Sequence, residues 1–215
     1  QDIWAKGEYE ALTRLRHPNL AKVYNFGRIS STNDYFIVSE FIKGIDLFSA
    51  TEYLNYEELA DILVQICRAL EYIHSQGYVH FDIKPDNILV TRYKTAGIKE
   101  GSKVQYDVDP TSTIQSVYAK PNVKVIDFGL AEQITGSFSF AIKGTLNYLA
   151  PEILNGQTPD KRADLYSLGV TLYQIANRNL PFYQDVGVLD GTGGRANLKR
   201  SELFELHMKK HPEFL

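Results

Sequence analysis

The 215 residues contain a single cysteine, Cys67, so no internal disulfide can form. A lone thiol suits a reducing compartment, and a cytoplasmic setting is expected. Long apolar runs are missing as well. No stretch approaches the ~20 residues that span a bilayer, and the polar start Gln1-Asp2 does not read as a signal peptide. Neither sign of charge dominates: 23 Lys and Arg stand against 26 Asp and Glu, for a net −3. No nucleic-acid or anionic-membrane footprint is therefore expected. The pairs Lys199-Arg200 and Lys209-Lys210 are too short to supply one and read as solvated helix faces. The chain shows no internal repeat.

What is present is an ordinary globular composition, 44% hydrophobic and 23% charged. A chain this long forms one large domain or two small ones and buries ~70% of its unfolded surface. Residues 5–16 read as the end of a helix, with Ala5, Tyr9, Leu12 and Leu15 at helical spacing and His17-Pro18-Asn19 as its stop. Strand-like runs follow at Leu20–Phe26 and Tyr35–Glu40 around a polar turn at Ser30–Asp34. Residues 41–45 form a short connector containing Gly44.

The clearest helix spans 56–75. Asn55 and Glu58 make a capping-box pair, and Leu59, Ile62, Leu63, Ile66, Leu70 and Ile73 repeat at helical spacing up to the stop at Gly77. A helix over 160–177 is apolar on most sides (Leu165, Leu168, Val170, Leu172, Ile175), which predicts burial within the domain; Pro181 follows its end. A last helix is expected over 201–210. Residues 91–122, between the strand-like Ile88–Val90 and Val123–Ile126, and the glycine-bearing 184–200 read as loops.

The chemistry concentrates in His80-Phe81-Asp82-Ile83-Lys84-Pro85-Asp86-Asn87, followed forty residues after Asn87 by Asp127-Phe128-Gly129. Phosphoryl transfer needs such a set: a carboxylate to orient the attacking hydroxyl (Asp82), a cation beside the transferring group (Lys84), and two hard oxygen ligands for Mg²⁺ (Asn87 and Asp127). A lone D-x-K-x-x-N would more readily be a turn. Here His80 precedes it and a strand-delivered Asp127-Phe128-Gly129 follows.

This octet resembles the catalytic loop H-R-D-x-K-x-x-N of the eukaryotic-type serine/threonine protein kinases. Gly144-Thr145-Leu146-Asn147-Tyr148-Leu149-Ala150-Pro151-Glu152 resembles the family's activation-segment end, and Asp164-Leu165-Tyr166-Ser167-Leu168-Gly169 its D-x-W-S-x-G helix. The resemblance implies an α+β fold: a mainly helical large lobe (46–215), a hinge (41–45) and a partial small lobe (1–40) with the end of the family's helix C and its fourth and fifth strands. It implies ATP and Mg²⁺ as cofactors and a protein substrate. Thr145 is implied to touch Asp82 and Lys84, and Asp164 to hold the catalytic-loop backbone. Phe128 is implied to stack with His80 and Leu12. Glu8 matches the helix Glu that pairs with a nucleotide-positioning Lys. Glu40 and Ile42 would meet adenine through backbone groups, Ser39 would be a small gatekeeper with an accessible back pocket, and Leu89 would join the nucleotide site.

The chain also departs from the pattern. Phe81 replaces the Arg that receives an activation-loop phosphate in most relatives, so activation-segment phosphorylation is expected to be dispensable. Tyr166 stands where Trp is usual. The 91–122 segment is longer than usual, and a solvent hairpin without a role is the simpler reading than a docking insert. No glycine-rich loop or strand Lys precedes Glu8, and the last two large-lobe helices are missing, with the Arg that usually pairs with Glu152. The 215 residues are therefore expected to be an internal fragment that binds ATP poorly and does not turn over. A pseudokinase or scaffold is the alternative class, and an aminoglycoside-phosphotransferase-type enzyme a third. Intact Asp82, Asn87 and Asp127 argue against the second, and the A-P-E segment and buried helix against the third.

Overall fold

The computed structural model describes residues 12–32, 34–91, 121–127, 131–133, 145–181 and 200–209. Glu8, Phe128, Gly129 and most of the two predicted loops lie outside the described residues; of the first predicted helix, residues 12–16 are described, and only Leu12 is helical, so the helix ends before the expected stop at His17.

Two strands, β1 (Val23–Arg28) and β2 (Tyr35–Ser39), pair antiparallel. The polar turn between them closes with the Ile29 amide donating to the Asp34 carbonyl at 2.8 Å. β1 starts three residues later than predicted, because the segment before it is used elsewhere. Leu20 bridges Val125 in parallel, the Ala21 amide donates to Val125 at 2.9 Å, and the Val125 amide donates to Asn19 at 2.8 Å.

A second sheet has the order β3 (Ile45–Asp46), β5 (Ile88–Thr91), β6 (Asn122–Val125), all antiparallel. The predicted connector thus cedes Ile45 to this sheet. Gly44 has to be glycine, since a Cβ there would sit 2.7 Å from the Val90 carbonyl oxygen. Asp46 then caps the short helix α1 (Leu47–Ala50) by accepting from the Ser49 amide.

Helix α2 (Tyr56–Ser75) has the predicted bounds and the predicted capping box: the Glu58 amide donates to Asn55 Oδ1 at 2.9 Å, and the Asn55 amide to Glu58 Oε2 at 3.1 Å. Ile62, Ile66, Leu70 and Ile73 enter the main core with Leu20, Val90, Val123 and Val125. Gly77, at φ +82, supplies the left-handed turn that ends the helix region. The short strand β4 (Tyr78–Val79) follows and pairs with β7 (Glu132–Gln133).

Helix α3 (Pro151–Leu154), helix α4 (Arg162–Asn177) and helix α5 (Arg200–Lys209) complete the described elements. One expectation fails on α4. Leu165 is 52% exposed, while Asp164, Ser167 and Thr171 are buried. Local hydrogen bonds make this possible: Ser167 Oγ donates to the Tyr148 carbonyl at 2.7 Å and Thr171 Oγ1 to the Ser167 carbonyl at 2.9 Å. No helix among the described residues is long and apolar enough to cross a membrane.

Candidate active site

The catalytic-loop residues lie between β4 and β5, and a buried carboxylate from α4 sets their backbone. Asp164 has no exposed surface; its Oδ1 accepts the Phe81 amide and its Oδ2 the His80 amide, each at 2.9 Å. His74, at the end of α2, adds a 2.8 Å contact to Oδ2. Phe81 is held at φ +64, a left-handed conformation that strains a bulky side chain. His80 is fully buried, and burial lowers its pKa, so the imidazole is neutral. Its Nδ1 accepts the Asp82 amide at 3.3 Å, which leaves Nε2 to donate to the Ile126 carbonyl at 3.1 Å.

Asp82 is the centre of the network. Thr145 donates to Oδ1 with both its amide (3.1 Å) and its hydroxyl (2.9 Å). Lys84 Nζ (2.9 Å) and Asn87 Nδ2 (2.8 Å) meet Oδ2. Lys84 also donates to Thr145 Oγ1 at 2.7 Å, closing a ring of three side chains. Burial pushes the Asp82 carboxyl upward, but the hydrogen bonds from Lys84 and Thr145 outweigh it and hold the group below the usual carboxylate range. Asp82 is thus a fixed anion at neutral pH.

A cavity of about 510 Å³ opens beside this network, lined by Ala21, Val23, Ile37, Ser39, Glu40, Phe41, Ile42, Leu89, Ile126 and Asp127. It gathers Ser39, Glu40, Ile42, Leu89 and Asp127 from distant parts of the sequence. Glu8 lies outside the described residues. Asp127, two residues beyond β6, has its backbone turned to φ +63. Glu40 is fixed at both ends: its amide donates to the Lys22 carbonyl at 2.7 Å, and its carboxylate pairs with Lys124 at 3.1 Å.

Some residues that shape the site carry no signal in the sequence. His74 reaches Asp164 from ninety positions away. Gln65 Oε1 accepts from Asn19 Nδ2 (2.9 Å) and the Val123 amide (3.0 Å), joining helix α2 to the strand that leads to Asp127. Neither has a spacing relation to its partner, so only the fold could show them. The predicted stacking of Leu12, His80 and Phe128 keeps two buried members, Leu12 and His80, and its third lies outside the described residues.

Residues 2–211 match the family model for the protein kinase domain. The chain belongs to the protein kinase domain family. The kinase domain is 32% identical over 186 residues to a probable serine/threonine-protein kinase of Clostridium perfringens, covering 84% of this chain and 23% of that protein. It is 33% identical over 192 residues to serine/threonine-protein kinase RAD53 of Saccharomyces cerevisiae, covering 81% and 20%. A similar match, 33% over 187 residues, is to maternal embryonic leucine zipper kinase of Danio rerio, covering 84% and 23%. The aligned region thus spans about a quarter or less of the length of these relatives. A mixed helix-and-sheet kinase fold with a partial small lobe accords with the expected α+β class.

Proposed function

We propose that this kinase domain is the catalytic region of a serine/threonine protein kinase that moves the γ-phosphoryl group of ATP to a Ser or Thr hydroxyl of a protein. The observation that carries this reading is the Asp82 carboxylate, ionised and surrounded by Lys84, Asn87 and Thr145 beside a nucleotide-sized cavity that reaches Asp127. Residues 1–40 serve as part of the small lobe, 41–45 as the hinge and 46–215 as the large lobe in this reading, and the single cysteine keeps the cytoplasmic setting within it.

The donor set suits Mg²⁺. The Asn87 side chain donates through Nδ2 to the Asp82 carbonyl and carboxylate, and its amide oxygen is the atom that would hold the ion together with the Asp127 carboxylate. Two protein oxygens suffice for an ion that takes its other ligands from phosphates and water. When bound, Mg²⁺ would neutralise phosphate charge. Asp82 orients the acceptor hydroxyl and takes its proton as the new O–P bond forms. The bond from γ-phosphorus to the bridging oxygen breaks, and ADP leaves with that electron pair. All four acceptor positions on Asp82 are filled by protein donors. The incoming hydroxyl therefore displaces one, and Lys84, released from Oδ2, can follow charge onto the transferring group.

Transfer of labelled γ-phosphate to protein by the full-length protein tests this. The expected result is Ser/Thr labelling that falls about 10²–10⁴-fold in Asp82→Asn. Unchanged transfer in that variant would reject the assignment of Asp82, and a wild-type protein that binds partners but transfers nothing would favour the scaffold.

A further inference from the structure

Phe81 and Tyr166, the two departures from the family's motifs, occupy the same apolar cluster. Phe81 is buried with Val79, Ala150 and Ala163, and Tyr166 and Ile153 pack against the group. Ile153 also borders a second cluster, of Leu149, Leu154 and Leu203, with Phe204 beside it. Helix α3, which carries Ile153, therefore lies between the catalytic loop and helix α5.

Leu203 and His207 are four residues apart and share one face of α5. Leu203 fills the second cluster, and His207 Nδ1 meets the Tyr166 hydroxyl. The two rings lie 5.5 Å apart at 49°. Burial lowers His207 to about 4 and is the main reason that the Tyr166 hydroxyl is pushed up, so at neutral pH both are uncharged. The phenol then donates and the imidazole accepts. An indole at position 166 carries its N–H on the ring edge and has no hydroxyl at its tip. The bond thus depends on a residue that departs from the motif.

We propose that Tyr166 and His207 are positioning residues: their hydrogen bond seats α5 on α4 and keeps the apolar wall around Phe81 closed, holding the catalytic loop without a bound phosphate. Tyr166 is two residues from Asp164, whose carboxylate accepts the His80 and Phe81 amides. A shift of the α4 start reaches those amides directly. The catalytic consequence rests on the kinase reading above; the positional one does not.

Tyr166→Phe, His207→Phe and the double variant, made in the full-length protein, provide the test. Amide hydrogen exchange at His80 and Phe81 is read beside kcat and KM. Each single variant is expected to speed exchange at both amides about fivefold. The same variants should lower kcat severalfold with KM for ATP within about twofold, and the double variant should be no worse than either single one. Unchanged exchange at His80 and Phe81, or single effects that simply add, would overturn the proposal. If the wild-type protein transfers no phosphoryl group, the functional reading fails while the exchange measurement still decides this one.

Discussion

Asp164 Oδ1 accepts the backbone amide of Phe81 at 2.9 Å across eighty-three residues of sequence, and Phe81 is one of three non-glycine residues with positive φ among those described. The strain of an aromatic residue in that region, about 1–2 kcal/mol, is therefore offset by a buried, charge-assisted hydrogen bond. The same carboxylate takes the His80 amide, so one side chain fixes the two residues leading into Asp82.

Asp164→Ala should leave two buried amides without acceptors and cost at least about 3 kcal/mol. Asp164→Asn keeps one acceptor oxygen and should cost about half as much. Urea denaturation of both variants measures this. Equal stabilities for the two would contradict the assigned bonds.

Phe81 is 6% exposed and packed among Val79, Ala150 and Ala163, so no phosphate-binding cation stands at this position. Replacing Thr135, Ser137 and Ser139 together by Ala in the full-length protein is expected to keep activity within about twofold, because the loss of phosphorylation removes no charge-assisted bond here. Phe81→Arg should instead destabilise by about 3 kcal/mol, from lost packing and a charge forced into an apolar cluster. Phosphatase treatment with a kinase assay, and thermal melting of the Arg variant, check the two halves.

Acid should weaken the fold below pH ~6.5, the ordinary histidine range. Burial lowers the folded-state pKa of His80, and that of His207 to about 4. Below the ordinary value the unfolded chain binds a proton that the folded chain refuses, so stability falls as pH falls. The slope is at most about 1.4 kcal/mol per pH unit for each group. For His207 it ends near its folded value of about 4. Urea midpoints between pH 7 and 4 should show the decline, and His207→Phe should make it shallower. A stability that rose on acidification through this window would be inconsistent with neutral, buried imidazoles.

Ser39 lines the cavity beside Val23 and Ile37, and a side chain this small is expected to admit bulky ligands. Bulky ATP-competitive ligands are expected to bind the full-length protein at least tenfold more tightly than they bind Ser39→Phe. KM for ATP should change by less than about threefold. Calorimetric titration of both proteins measures the difference. Equal affinity for the bulky ligand would show that the space is not used.

The features most legible in the sequence were local ones. The 56–75 helix could be placed from Asn55, Glu58 and a repeat of apolar residues, because a capping box and a helical period are set within a few residues. The Asp82, Lys84 and Asn87 cluster could be singled out because its members sit within six positions. The α4 surface is less legible, since periodicity counts apolar residues and does not see that Ser167 and Thr171 satisfy their hydroxyls on backbone carbonyls. Periodicity accordingly puts Leu165 inside, whereas it is exposed.

By itself the sequence determined which chemical groups are present and the short-range geometry that carries them: the capped helix, the Gly44 and Gly77 positions, the loop of Asp82 to Asn87 and the lack of an internal disulfide. Only the tertiary structure decided how they act together. It brought Thr145 onto Asp82, Asp164 beneath His80 and Phe81, and Ser39, Leu89 and Asp127 around one cavity. It also turned Phe81 from a mismatch in a motif into a packed residue, tied through Tyr166 to His207. The physical reason is the range of the forces. Caps and periodicities are encoded within a turn or two of chain, whereas hydrogen-bond partners and cavity walls are chosen by packing among segments that the sequence keeps far apart.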